Sequence, residues 1–205
     1  NPDDITTSNV LAWKNAGVNR ISIGIQSFSN KALHFLKREH SPNMAFQGID
    51  RVATHFKNWS CDFIYGWPGQ KQGEWIKDLQ KIQQYDPTHL SLCHLSYEKK
   101  TPIGRMYERN KINPITEEES YRLYEVACEK LKKDYIHYEV SNWGKEGHLS
   151  LHNSSYWDDS YYLGVGTGAY GYIPSEEHSF GIRYKYSNRF RSLISKDMST
   201  NIDFS

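Results

Sequence analysis

Cysteine is scarce in this 205-residue chain, and the three present, Cys61, Cys93 and Cys128, stand 32 and 35 positions apart. That spacing excludes a local CxxC or CxxxCxxC site and any local disulfide framework. An iron–sulfur cluster needs closely spaced thiolates, which this pattern does not offer. The thiols read instead as buried residues of a protein in a reducing compartment, the cytoplasm. Long apolar runs are also missing: no stretch of eighteen exists, so the sequence predicts no transmembrane segment. Neither sign of charge dominates, with 25 Lys and Arg against 24 Asp and Glu. No basic stripe argues for nucleic acid, and no acidic tail for disorder. Apolar residues amount to 38%. Counting glycine in place of tyrosine, as the usual reference set does, leaves about the same share, below the roughly 45–50% of typical domains. So lean a core suits a barrel around a polar-lined cavity, or one lacking neighbouring strands. Tyrosine is abundant, at 15 residues, and its apolar ring with a polar tip serves cavity walls and ordinary surfaces alike.

Length and patterning give the architecture. A complete (β/α)8 barrel takes roughly 250 residues, and a chain that opens on Asn1-Pro2-Asp3-Asp4 without Met reads as an internal fragment. Thr6 or Thr7 caps a helix through about residue 16, with Gly17 as its stop. Strands are expected at about 20–25, 61–65 and 88–95. Between them, helical stretches cover about 30–37, 43–56 (opened by Ser41-Pro42) and 72–85. Strands alternating with helices predict an α/β fold with a parallel sheet. Residues 96–115 read as irregular. Thr116 and Glu119 form a capping box for a helix to about Lys132, 136–140 is a short strand, 141–159 a loop, and 161–172 a further strand and turn. The polar remainder, with Arg183, Asn188 and Arg189, is assigned no element.

Two strand ends carry chemistry. In Ser60-Cys61-Asp62-Phe63-Ile64-Tyr65-Gly66-Trp67-Pro68-Gly69-Gln70, a carboxylate sits inside an apolar run that leads into a Gly/Pro loop. Asp62 is costly to desolvate there unless a polar partner meets it. That partner is either a ligand or the backbone amides of a strand edge. Asn19-Arg20-Ile21-Ser22-Ile23-Gly24-Ile25-Gln26 is a second strand ending in Gln26, and Arg38 follows twelve positions later. Ligands in α/β barrels bind at the carboxyl ends of strands. An amide such as Gln26 both donates to and accepts from a hydroxyl, and the fork of Arg38 suits a carboxylate. The plain alternatives are a turn-capping Gln and a solvated Arg paired with Glu39. His152, in His152-Asn153-Ser154-Ser155-Tyr156-Trp157, is the most consequential of nine histidines. A neutral imidazole is a good metal ligand and nearby rings can cover a flat apolar group, although a loop histidine is more often just solvated. His148 competes with it. No Ser-His-Asp set or phosphate loop is evident, and Gly164-x-Gly166-x-Gly168 lacks the strand–helix unit of a dinucleotide site.

The ordered set N-R-I-S-I-G-I-Q-S-F, R-x-H and D-F-I-Y-G-W-P-G-Q resembles the radical S-adenosylmethionine (SAM) family of oxygen-independent coproporphyrinogen oxidases. Tyr138-Glu139-Val140-Ser141-Asn142 and the HNxxYW motif at His152 resemble its HemW branch, the haem chaperones. The resemblance runs from Asn1 to about Arg191. It implies a partial radical SAM (β/α) barrel over 1–115, with remaining barrel elements and the start of a C-terminal extension over 116–205. It also implies that Gln26, Arg38 and Asp62 contact SAM, that His152 binds haem iron, and that haem passes to acceptor proteins. In the family, a [4Fe–4S] cluster is held by a CxxxCxxC loop after the first strand, expected upstream of Asn1. The resemblance leaves room for a homodimer. Leu95-Ser96-Tyr97-Glu98 with Thr101 resembles a family segment near the adenine, but Cys93 stands where an aromatic residue is usual. The alternative activity is coproporphyrinogen III oxidation; an unrelated barrel hydrolase or isomerase fits the motifs poorly.

Overall fold

The computed structural model describes residues 1–175, 180–187 and 202–204; Asn188 and Arg189 lie outside the described residues. The chain forms two compact units, Asn1–Leu149 and Ser150–Ser205.

The first unit is a mixed α/β layer structure. Helix α1 (Thr7–Asn15) starts where the Thr6 hydroxyl accepts from the Asn9 amide at 3.2 Å. Strand β1 (Ile21–Gln26) leads through α2 (Asn30–Phe35) and α3 (Pro42–His55) to β2 (Trp59–Tyr65). Helix α4 (Gln72–Tyr85) returns the chain to β3 (His89–His94). These three strands are parallel neighbours in chain order, as the alternation of periods required. The irregular reading of 96–115 is corrected by a helix, α5 (Pro102–Glu108), capped by Thr101 with proline in its first turn. Helix α6 (Glu117–Leu131) opens on the expected Thr116–Glu119 capping box.

Two findings depart from an all-parallel sheet. Strand β4 (Ile136–Glu139) stands at the edge, and β5 (Asn142–Gly144) inserts between it and β3, antiparallel to both. The segment 141–159 is therefore not one loop: it holds β5 and a one-turn helix, α7 (Leu151–Ser154). Residues as few as Asn-Trp-Gly show no period, so only pairing reveals them.

Side chains alternate across each strand. Ile23, Ile25, Cys61, Phe63, Leu90, Leu92 and Trp143 face the helices and join one buried cluster with residues of α1, α3, α4 and α6. Trp75 of α4 lies under Phe63 and stacks on Tyr65 at 5.5 Å, while its indole N–H donates to the Leu123 carbonyl at 2.9 Å. The loop after β2 turns at Gly66 with φ of 81°, where a Cβ would stand 2.5 Å from the His94 ring, so both backbone and space require glycine.

The second unit begins with α7 and continues into an antiparallel sheet of β6 (Tyr170–Ile173), β7 (Ile182–Tyr186) and β8 (Ile202–Phe204). The strand read over 161–172 shrinks to β6, with Tyr162 forming a single bridge to Tyr172. Division by compactness falls after Leu149, because α6, β4 and β5 pack in the first unit. Among the described residues, no helix is long and apolar enough to cross a membrane.

Candidate SAM and haem sites

The face of the sheet turned away from the helices is polar. In register, Ser22 stands beside Ser60, Gly24 beside Asp62, Asp62 beside Ser91 and Ser60 beside His89. Arg20 donates to the Ser60 hydroxyl at 3.2 Å, Ser60 to Ser22 at 2.8 Å, and Ser22 to the Asp62 carboxylate at 2.9 and 3.1 Å. Asp62 is thus met by hydroxyls, not by the strand-edge amides of the plain reading. Burial raises its carboxyl above the ordinary range, against the downward pull of Ser22, Ser91 and then Arg20. His89 bonds to the Tyr138 hydroxyl at 2.8 Å. Burial, with a smaller push from Arg20, lowers its pKa to about 4. Ser91 in turn donates to Asn142 at 2.6 Å.

Gln26 and Asp62 share this face. The Gln26 amide lies where a Gly24 side chain would be, its Nε2 2.7 Å from an ideal Cβ there, and Gly24 is the register partner of Asp62. Gln26 reaches back in this way because its own φ is 66°, at a register shift that ends the β1–β2 pairing. Glycine at 24 is therefore a cradle for the Gln26 amide.

Arg38 is pinned at the same carboxyl end from both sides. Leu36 packs with Trp67 and Leu95, from the loops after β2 and β3, and the His40 ring bonds to the Ile25 carbonyl at 3.1 Å. Arg38 Nε is buried without a hydrogen-bond partner, and so are Trp67 Nε1 and Tyr97 Oη. Buried donors left open cost about 1–3 kcal/mol each. These three lie in the segments that follow β1, β2 and β3. An amide in a glycine cradle, a carboxylate on the same face and an unpaired guanidinium nitrogen at the same strand ends fit a ligand with hydroxyl, amino and carboxylate groups, as SAM has. Of the adenine segment, Thr101 caps α5 by accepting from the Gly104 amide at 3.0 Å.

Sequence reasoning missed Ser22, Gly24, Ser60, His89 and Ser91. Their signal was present in the alternation of small or polar residues with Ile, Cys, Phe and Leu along all three strands.

The cysteines do not fit a [4Fe–4S] cluster. Cys61 faces the helices, Cys93 sits on the opposite face of the sheet as the register partner of Ile64, and Cys128 is on α6. Only Cys61 is buried as expected, Cys128 being half-buried and Cys93 exposed, yet desolvation, partial for the last two, raises all three thiols above their ordinary pKa, against the thiolate form that iron requires. Among the described residues, no group of three His, Cys, Asp or Glu is placed to hold a metal ion.

His152 lies in the second unit, exposed on α7. Its Nε2 bonds to the Tyr156 hydroxyl at 3.1 Å, and its ring meets Tyr156 and Tyr162 edge-on at 5.1 and 6.1 Å. Trp157 is 60% exposed, so its ring is open to an apolar ligand. His148, in the first unit, bonds to the Glu146 carbonyl at 3.0 Å.

Residues 1–82 match the family model of the Radical SAM superfamily. The heme chaperone HemW of Bacillus subtilis is 34% identical over 84% of this chain and 46% of its own length. The bovine radical S-adenosyl methionine domain-containing protein 1, mitochondrial, is 36% identical over 85% of this chain and 40% of its own. The structure of Escherichia coli coproporphyrinogen III oxidase (HemN) superposes with a TM-score of 0.70 at 15% identity, over 93% of this chain and 46% of that one. At that identity the likeness is one of fold. The chain thus spans less than half the length of these relatives. The chain is HemW-like over most of its length and carries the radical SAM superfamily match over residues 1–82.

Proposed function

We propose that this chain is part of a haem chaperone, which binds haem through His152 and delivers it to acceptor haemoproteins in the cytoplasm. The observation that carries the reading is the intact HNxxYW segment folded as a ring cluster around an exposed imidazole. Tyr156 and Trp157 supply aromatic surface for the porphyrin, and the Tyr156 hydroxyl orients the His152 ring. The free thiols, with no disulfide among them, support a reducing compartment. Gln26, Arg38 and Asp62 are proposed to hold SAM, which supplies radical chemistry in proteins that use it. Their part is to bind: Arg38 a carboxylate, Asp62 hydroxyl or amino donors, Gln26 either. The [4Fe–4S] cluster of the family has no ligand set among the described residues. Coproporphyrinogen oxidation has support only from likeness of fold.

Titrating haemin into the full-length protein tests the reading. His152→Ala is expected to shift the haem absorption band and weaken binding at least tenfold, while His148→Ala leaves both unchanged. Identical spectra and affinities for wild type and His152→Ala would remove the iron ligand and the reading with it.

A further inference from the structure

One face of the second unit gathers rings and cations together. Tyr172 stands opposite Arg183, and Tyr170 opposite Lys185, across β6 and β7. Directly opposed residues, and residues two apart along a strand, project to the same side. These four therefore share a face, while Tyr184 projects to the other and bonds to the Gly164 backbone. Tyr162, bridged to Tyr172, extends the first face, with ring centroids 6.2 Å apart. Tyr162 also meets Tyr156 at 4.6 Å and His152 at 6.1 Å. A continuous path of aromatic contacts thus links the His152 imidazole to the strand pair that carries Arg183.

Beside this path lies a cavity of about 140 Å³ lined by Ser155, Tyr156, Asp159, Tyr162, Tyr172 and Arg183. It is too small for a macrocycle and large enough for a carboxylate on a short arm. The guanidinium is the side chain best shaped for a carboxylate, which it meets with two parallel N–H donors. The Tyr172 hydroxyl, which accepts from the Gly181 amide at 2.9 Å, keeps its own proton to donate.

We propose that this cavity receives a propionate arm of the haem, with Arg183 as its principal partner, an inference that rests on haem binding at His152. Lys185 adds positive charge on the same face more weakly, because its ammonium is already 4.9 Å from the Tyr170 ring centroid. Asp159 opposes: it brings a negative charge to the same lining and sets a ceiling on affinity. The site thereby selects porphyrins whose carboxylates are free.

Haemin, haemin dimethyl ester and metal-free protoporphyrin IX, titrated into the full-length protein, test this. Arg183→Gln is expected to weaken haemin and protoporphyrin by roughly tenfold or more, the loss of a charge-assisted hydrogen bond. The same change should leave the ester unaffected, and Arg183→Lys should restore part of the loss. Asp159→Asn should tighten haemin but not the ester. Equal losses for haemin and ester, or no loss, would overturn the proposal. If His152→Ala leaves the haemin spectrum unchanged while Arg183→Gln still discriminates acid from ester, the iron-ligand reading fails and the carboxylate site stands.

Discussion

Along β1, β2 and β3, residues of one parity bury Ile23, Ile25, Phe63 and Leu92 against helices, while those of the other parity carry Ser22, Ser60, Asp62, His89 and Ser91. The same backbone thus supports two surfaces with opposite energetics. Burying the apolar parity stabilises the fold by about 25 cal/mol per Å² removed from water. Burying the polar parity costs free energy wherever a group lacks a partner, and Arg20 Nε and His89 Nδ1 do lack one. Ser60 and His89 on that face are buried, Asp62 and Ser91 half-buried and Ser22 exposed, so the cost falls on its inner members. A face kept polar at a cost marks a site.

The comparison breaks most readily at its apolar side. Trp75→Ala removes the ring between Tyr65 and Phe63 together with the indole donor that ties α4 to the Leu123 carbonyl of α6. A loss of about 3–5 kcal/mol is expected in denaturant unfolding. Ser22→Ala on the polar face should cost about 1 kcal/mol. Equal losses would erase the distinction between faces.

Acid should reveal the polar side. His89 is neutral when folded down to about pH 4, because burial and then Arg20 disfavour the imidazolium. An unfolded chain protonates it near pH 6.5. The folded pKa is depressed, so stability is intact above about 6.5 and falls as pH drops to about 4, by roughly 3 kcal/mol at most. His89→Gln should flatten the dependence of urea midpoints on pH over that window, since other groups cancel in the comparison. Parallel slopes for variant and wild type would mean that the folded protein accommodates the charged ring.

The apolar face was the more legible of the two in the sequence. Every helix and strand built on a run of alternating or helical apolar residues was placed to within a residue or two, from α1 to α6. Helix α5 was missed although Thr101-Pro102 offers the same start signal as Ser41-Pro42. Its apolar face is too short to show a period. Strand β5 has no local signal, and its position between β3 and β4 is a matter of long-range pairing. Asp62 stood out because a carboxylate in an apolar strand is conspicuous. The serines that hold it did not, because serine on a strand is unremarkable until register places Ser60 beside Ser22. His152 was legible as part of a motif, but its ring contact with Tyr162, ten positions on, follows only from the turn of the chain.

Gly24 joins the two arguments. A methyl there would meet Gln26 Nε2 at 2.7 Å, and that atom is the far end of a flexible side chain. Gly24→Ala should therefore cost less than about 1 kcal/mol in stability, partly offset by reduced freedom of the unfolded chain. Its effect belongs in binding: the Gln26 amide is displaced, and SAM affinity of the full-length protein, measured by calorimetry, should fall severalfold. Unchanged affinity with unchanged stability would show that the cradle serves no ligand.

The smallest effect carries the sharpest sign. Asp62→Asn keeps an acceptor for the Ser22 hydroxyl and removes a charge that burial disfavours. The folded carboxyl titrates above its unfolded value, so at pH 7, well above the unfolded pKa, the folded state bears a penalty that the amide does not. As pH falls below the unfolded pKa the carboxyl is neutral in both states and the penalty vanishes. Asp62→Asn should therefore raise stability slightly at pH 7, by up to about 1 kcal/mol, the scale of stability gained when a functional charge is removed. The gain should disappear in acid, and SAM binding should weaken at both values. A variant that is less stable than wild type at pH 7 would make the carboxylate part of the scaffold. A variant that is more stable and binds SAM as well as wild type would leave the polar face without its proposed ligand.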